Sequence, residues 1–293
     1  MAQFAAGVVV SSLAKTTISS YNKVTNEFFN WVGSLEPGLN LLPATPLHIT
    51  MYMGVLFQRG LSPATIATKL SAIAFWHKLY SPVDPTDHFL VRRTLVGLRK
   101  ERPQMDPRPP LTLNLLHLLC DGATVSDWAP FDVLLFQAMV TLSFHAFLRP
   151  GEMTESPNAI LSENVHFSQN KLFIKMCSYK HSKGKQVTIS VSATNSKFCP
   201  VATLARFLAS RPSSKLLFCD KNGSPVTYSK YSKLFAQGVL RSGLSPYLKP
   251  HSARIGAATH AASLGHSEDA IKRMGRWVSG AVGRYLRLPV ISL

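Results

Sequence analysis

The stretch HSARIGAATHAASLGHSEDAIKRMGRWVSGAVGRYLR, His251 to Arg287, holds the most chemically informative run of a 293-residue chain. His251 and Arg254 stand three apart, so on a helix they share a face. The residues behind them, Ile255-Gly256-Ala257-Ala258-Thr259, are mostly small, which lets another backbone come close. Ser267 before Glu268 and Asp269 is an N-cap followed by acidic residues in the first turn. Helices are therefore expected over Ser252–Leu264 and Glu268–Met274, with a last one around Tyr285. Trp277 and Tyr285 lie eight positions apart, about two helical turns if the segment is continuous. A His and an Arg at a helix start suit a phosphodiester, because donors cluster there at a positive end. A plainer reading stands beside this one: a capping His with a surface Arg, and two core aromatics.

Upstream, Asn164–Phe167, Lys171–Met176 and Gln186–Val191 read as short strands, with turns at Ser168-Gln169-Asn170 and Tyr179–Lys185. The second turn holds Lys180, Lys183 and Lys185, each either part of a solvated basic hairpin tip or a proton donor. Before the strands, helices are expected over Leu111–Cys120 and Pro130–Leu148, the second apolar enough to be buried. That apolar run ends in Arg149, followed by Pro150-Gly151-Glu152. A charge at the end of a buried helix needs a partner, and taken alone an Arg149–Glu152 ion pair explains it. After the strands, Val201–Ala209 and Tyr228–Ser242 return to helical spacing.

The first hundred residues also read as helices. Ile18, Tyr21, Val24, Phe28, Trp31 and Leu35 recur at steps of three and four, one helical stripe. Thr45-Pro46 and Ser62-Pro63 each set an N-cap before a first-turn proline, and Gly60 marks a stop between them. The helix from Pro63 carries Ile66, Leu70, Ile73 and Trp76 and breaks at Ser81-Pro82. A fourth, around Asp87–Lys100, ends in a basic cluster that includes Arg92, Arg93, Arg99 and Lys100. That cluster is either a solvated face or a DNA contact. RPQMDPRPP, residues 102–110, has four prolines in nine positions and cannot continue a helix, so it is the candidate linker.

Composition narrows the class. Hydrophobic residues are 46% and charged residues 16%, which fits a folded chain, yet Lys and Arg outnumber Asp and Glu by 32 to 15, a net charge of +17. Residues 1–110 carry +5 and residues 111–293 carry +12. An apolar-rich chain this basic suits a polyanion, and nucleic acid is the commonest. Cys120, Cys177, Cys199 and Cys219 are widely spaced and read as reduced thiols, not a disulfide frame or zinc site. No apolar run reaches the roughly 20 residues that span a bilayer, and Met1–Val10 lacks the charged start of a signal peptide. A soluble intracellular protein without membrane contact is expected.

Taken in order, Arg149-x-x-Glu152, a lysine in a strand turn, His251-x-x-Arg254, Trp277 and Tyr285 resemble the active-site series of tyrosine recombinases of the phage-integrase type. The ending Gly275–Tyr285 is similar to that of DIRS-like, Ngaro-like and Crypton-like recombinases of eukaryotic mobile elements. The motif resemblance spans roughly residues 144–287. It implies a mainly α fold: a helical, DNA-binding core-binding domain over 1–101, a linker over 102–110, and an α+β catalytic domain over 111–293 with a small three-stranded antiparallel sheet.

The resemblance also implies roles. Arg149 and Arg254 would hold the scissile phosphate, and Tyr285 would attack phosphorus to give a 3′-phosphotyrosyl enzyme. Phenols ionise at about pH 10, so Tyr285 needs a proton acceptor, and His251 is the candidate. The leaving 5′-oxygen would take its proton from a turn lysine, Lys180 before Lys183 and Lys185. Trp277 would buttress the site, and Glu152 would orient the arginine. Arg92, Arg93, Arg99, Lys100, Lys183, Lys185 and Arg276 are the candidate DNA contacts. No metal or cofactor is expected, the partner would be double-stranded DNA in the nucleus, and recombination of two duplexes implies a tetramer on DNA. Many relatives dock a longer terminal helix in a neighbouring protomer. Eight residues follow Tyr285 here, Pro289 among them, so that exchange is expected to be reduced or made elsewhere.

Other chemistries fit less well. A metal-dependent nuclease needs clustered carboxylates, whereas Glu268-Asp269 is the sole adjacent acidic pair in 111–293, and His260 and His266 are six apart. A type IB topoisomerase shares the phosphotyrosyl chemistry. A domesticated, non-catalytic DNA-binding protein remains a further alternative, although the Arg, His, Arg, Trp and Tyr positions are all filled.

Overall fold

A computed structural model describes residues 2–37, 42–81, 83–103, 106–180, 182, 184–278, 282, 283, 285 and 286. The chain forms two compact units, Met1–Asp106 and Pro107–Leu293.

The first unit is helical: α1 (Ala2–Ser11), α2 (Lys15–Leu35), α3 (Pro46–Gln58), α4 (Pro63–Tyr80) and α5 (Phe89–Glu101). Its boundaries follow local chemistry. The Thr45 hydroxyl accepts from the His48 N–H at 3.2 Å, and Ser62 Oγ accepts from the Thr65 N–H at 3.0 Å, each ahead of a first-turn proline. Gly60, with φ +86°, turns the chain out of α3. Phe28 and Val32 of α2 meet Ile49, Tyr52, Met53 and Leu56 of α3, Ile66, Leu70 and Ile73 of α4, and Val91 of α5 in one core. Leu35, expected on the buried stripe, is exposed at the helix end, and α1 was not anticipated. Arg92, Arg93, Arg99 and Lys100 are all exposed on α5. Each member of the pairs Arg92/Arg99 and Arg93/Lys100 lies seven positions from the other, so the four form two adjoining basic rows.

The second unit is built around α7 (Pro130–His145), preceded by α6 (Leu113–Thr124). Every residue from Leu135 to Phe144 is buried, because α7 is mostly apolar and covered on several sides, and its buried Gln137, Thr141 and Ser143 are hydrogen-bonded. Next come α8 (Pro150–Met153), then β1 (Val165–Ser168), β2 (Lys171–Met176) and β3 (Val187–Ser192), and α9 (Pro200–Ser210), α10 (Tyr228–Arg241), α11 (Ser252–Ser263) and α12 (Glu268–Gly275). The strands form an antiparallel meander with Phe173 opposite both His166 and Ser190. Leu172, Ile174 and Met176 alternate into the core while Lys171 and Lys175 face out, the period-two pattern of a half-covered sheet. Helix α7 packs against α6, α9, α10 and α11.

Gly256 shows why α11 is rich in small residues. A Cβ there would overlap the carbonyl of Leu111, whose N–H donates to the Ser252 carbonyl at 3.0 Å. The obstacle is backbone, which cannot swing aside. Gly256→Ala should therefore destabilise the protein by about 1–3 kcal/mol in urea unfolding, whereas Gly151→Ala, with no atom within 4 Å of the added carbon, should cost less. Equal stabilities would refute this account of the α11 contact.

Candidate active site

The site begins where α7 ends. The chain turns through Phe147, whose φ of +50° is uncommon for a residue with a side chain. Pro150 then starts α8, with Arg149 just before it and Glu152 one turn in. The Glu152 carboxylate accepts from the Arg149 backbone N–H at 2.8 Å and from its guanidinium at 3.0 Å. The same carboxylate accepts from Arg276 at 2.9 Å. The ion pair expected between Arg149 and Glu152 is thus one arm of a buried Arg–Glu–Arg triad.

Arg276 lies deeper than its neighbours in sequence suggest. The sequence makes it a candidate DNA contact, and the structure places its side chain inside, 3% exposed. Past the end of α12, it adopts the left-handed conformation, φ 56° and ψ 42°. That turn sends its guanidinium inward to the carbonyls of Ala146 at 3.3 Å, Phe147 at 3.1 Å and Met274 at 3.4 Å, besides Glu152. Its own carbonyl accepts from Arg149 at 3.4 Å.

Arg254, in the first turn of α11, has 0% of its surface exposed. Its two terminal nitrogens donate to the carbonyls of Phe147 and Gly275, and its Nε–H has no partner among the described residues. The guanidinium lies 4.2 Å from the centre of the Trp277 ring, a cation–π contact. Burial, reinforced by the positive charges of Arg149 and Arg276, pulls Arg254 down to about 9, still protonated at neutral pH. Burial lowers Arg276 as well, with Glu152 opposing. Three guanidinium groups face one carboxylate, so the cluster carries excess positive charge behind the surface.

His251 stands at the N-terminal boundary of α11, and its Nε2 lies 3.2 Å from the Tyr285 hydroxyl. The Tyr285 ring sits 4.9 Å from Trp277 and 5.4 Å from His251, and the Thr259 hydroxyl donates to the Tyr285 carbonyl at 3.2 Å. Trp277 and Tyr285 are not two turns apart on one helix. Helix α12 stops at Gly275, before Trp277, and the centres of the two rings lie 4.9 Å apart. A Cβ on Gly275 would overlap the Trp277 ring, so the close fold-back requires glycine.

Beside this group, a cleft of about 680 Å³ opens between Tyr179, Lys185 and Val187 on one side and Lys272, Arg273 and Trp277 on the other. Lys180 is exposed just beyond β2, and Lys183 lies outside the described residues, as does everything after Leu286. Arg149, His251, Arg254, Trp277 and Tyr285 therefore converge, with Lys180 and Lys185 on the neighbouring hairpin. The residue that sequence reasoning missed is Phe147. Its carbonyl receives both Arg254 and Arg276, and a backbone acceptor leaves no mark in residue identity.

The sequence model of the phage integrase family matches residues 133–288. Tyrosine recombinase XerD of Halalkalibacterium halodurans is 24% identical over 274 residues, covering 91% of this chain and 84% of that protein. Among solved structures, XerH recombinase bound to a palindromic difH substrate is similar with a TM-score of 0.66 and 15% identity, over 92% of this chain and 75% of that one. A lambda integrase dimer bound to a COC′ core site gives 0.62 at 14% identity, over 97% and 93%. The helical architecture with one small antiparallel sheet is the fold these neighbours share.

Cutting Glu152 back leaves two guanidinium groups facing each other without their anion. Glu152→Ala should destabilise the protein by about 3–5 kcal/mol, the scale of breaking a buried pair by removing one partner. Urea unfolding checks this, and a loss below about 1 kcal/mol, typical of exposed pairs, would mean the triad is not closed in solution.

Proposed function

The chain belongs to the phage integrase family, a tyrosine recombinase, and on that premise we propose that it cuts and rejoins DNA through a 3′-phosphotyrosyl intermediate on Tyr285, without a metal. The observation that carries this reading is the 3.2 Å approach of His251 Nε2 to the Tyr285 hydroxyl, beside a positive cluster. With Nε2 unprotonated, the imidazole takes the phenol's proton as its oxygen attacks phosphorus. The bond to the 5′-oxygen breaks, and Lys180, in the turn that follows β2, supplies the proton for that oxygen. Charge building on the phosphoryl oxygens is met by Arg149 at the site and by Arg254 from behind Trp277.

Further elements of the proposal follow from the sequence resemblance and the charge distribution. The helical first unit binds double-stranded DNA, with the two basic rows of α5 on phosphates, a contact that positions without reading sequence. Lys183 and Lys185 extend the contact from the hairpin. The Gly275–Tyr285 ending favours a mobile-element recombinase of the DIRS-, Ngaro- or Crypton-like kind, acting in the nucleus and as a tetramer on DNA. One observation favours the rival reading of a non-catalytic DNA-binding protein: both terminal nitrogens of Arg254 are already held by carbonyls.

A suicide-nicked duplex carrying a candidate site, incubated in EDTA, separates the two. Wild type should give a denaturant-stable protein–DNA adduct and Tyr285→Phe none. Binding without adduct supports the non-catalytic role, and loss of cleavage in EDTA defeats the metal-free mechanism. Arg149→Ala should slow adduct formation by about 100- to 1,000-fold, the effect of losing one preorganised donor. A 5′-phosphorothiolate, whose sulfur leaves without a proton, should rescue Lys180→Ala. Rescue of Lys183→Ala or Lys185→Ala instead would reassign the general acid.

A further inference from the structure

We propose that Arg276 is a positioning residue for strand cleavage: from inside the protein it holds Arg149 and Trp277 in place and touches no DNA. The inference rests on the cleavage reading above and adds a residue and a role to it.

Three independent features point to this. The first is the backbone. Arg276 occupies a left-handed conformation that glycine adopts freely and a side chain resists, so its identity serves something other than the turn. The second is the set of acceptors. Ala146 and Phe147 beyond α7, Glu152 in α8 and Met274 in α12 belong to three segments, and one planar guanidinium joins them all. A lysine ammonium is a compact point charge without that fork and cannot span the same set.

The third feature is what hangs on the two sides of the residue. Arg149 is tied to Arg276 twice, through the Glu152 carboxylate and through the Arg276 carbonyl. On the other side, the turn folds Trp277 back over Gly275 and against Arg254 and Tyr285. One residue therefore sets the relative positions of an arginine at the scissile phosphate and of the aromatic wall behind the nucleophile. Its side chain is 3% exposed, so only its edge reaches the cleft beside the site, and its guanidinium is spent on the interior.

The test is single-turnover adduct formation at saturating nicked DNA, recording rate constant, final amplitude and DNA affinity for Arg276→Ala, Arg276→Lys, Glu152→Gln and the Arg276→Ala/Glu152→Gln double variant. Arg276→Ala should lower the rate about 10- to 100-fold, the loss typical of groups that orient a reacting ligand, with amplitude and affinity unchanged. Arg276→Lys should recover part of the rate. The double variant should be no slower than its slower parent, because both changes release the same arginine.

Weakened affinity with an unchanged saturated rate would make Arg276 a DNA contact and overturn the proposal. Lost amplitude at an unchanged rate would reduce it to a residue of the fold, and multiplying effects in the double variant would break the link through Glu152. Should Arg276→Ala not fold, Arg276→Lys decides: a slowed rate at full amplitude supports the role, and a wild-type rate ends it. Absence of adduct from wild type itself would defeat the cleavage reading, a result none of the Arg276 variants can mimic.

Discussion

The buried carboxylate of Glu152, set between the guanidinium groups of Arg149 and Arg276, is the interaction around which the second unit's functional face is arranged. Its weight comes from its location. Lys197 and Asp121 approach to 2.5 Å but are 70% and 46% exposed, and a pair like that contributes about 0–1 kcal/mol because water screens both charges. Glu152 is 2% exposed and Arg276 3%. Neither can fall back on water, so each must keep its partners or leave a charge stranded in a medium that solvates it poorly. That requirement fixes three chain segments relative to one another: the exit from α7, the start of α8 and the end of α12.

The surrounding packing makes the arrangement rigid. Helix α7 is buried over its whole central length, and α11 approaches the Leu111 backbone so closely that Gly256 has no room for a methyl group. Arg254 rises from that close-packed helix, and its fully buried guanidinium therefore has few positions open to it. Carbonyls of Phe147 and Gly275 take its terminal nitrogens, and the Trp277 ring covers its face. The result is a cationic wall held in place before any anion arrives, backing a His251–Tyr285 pair at its edge. Preorganisation of this kind lets a site stabilise developing negative charge without first reorganising itself.

Much of the local structure could be read in advance. Thr45-Pro46 and Ser62-Pro63 start helices because a hydroxyl satisfies a free N–H and proline fits the first turn. Lys171–Met176 forms a strand because its alternating apolar residues match a sheet with one face covered. Other features left no such trace. Helix α1 shows no sharp apolar stripe, and its apolar residues resemble any apolar start. The eight-residue step from Trp277 to Tyr285 imitates a helical repeat, yet α12 already ends at Gly275, where Arg276 takes a left-handed backbone angle that residue type does not announce. Arg276 itself looked like a surface cation, because a basic side chain beside other basic side chains gives no sign of a carboxylate 124 positions away.

The amino-acid sequence by itself determined most of the helices and the three strands, the excess of positive charge, and the identities of Arg149, His251, Arg254, Trp277 and Tyr285 as a set worth reading together. Those properties depend on residue type and short spacing, which are written locally. Only the tertiary structure decided which charges face inward, that Phe147 offers its carbonyl to two arginines, and that Arg276 belongs to the interior. Burial and hydrogen-bond partnership arise between segments distant in the chain, so they exist only once α7, α8, α11 and α12 have packed.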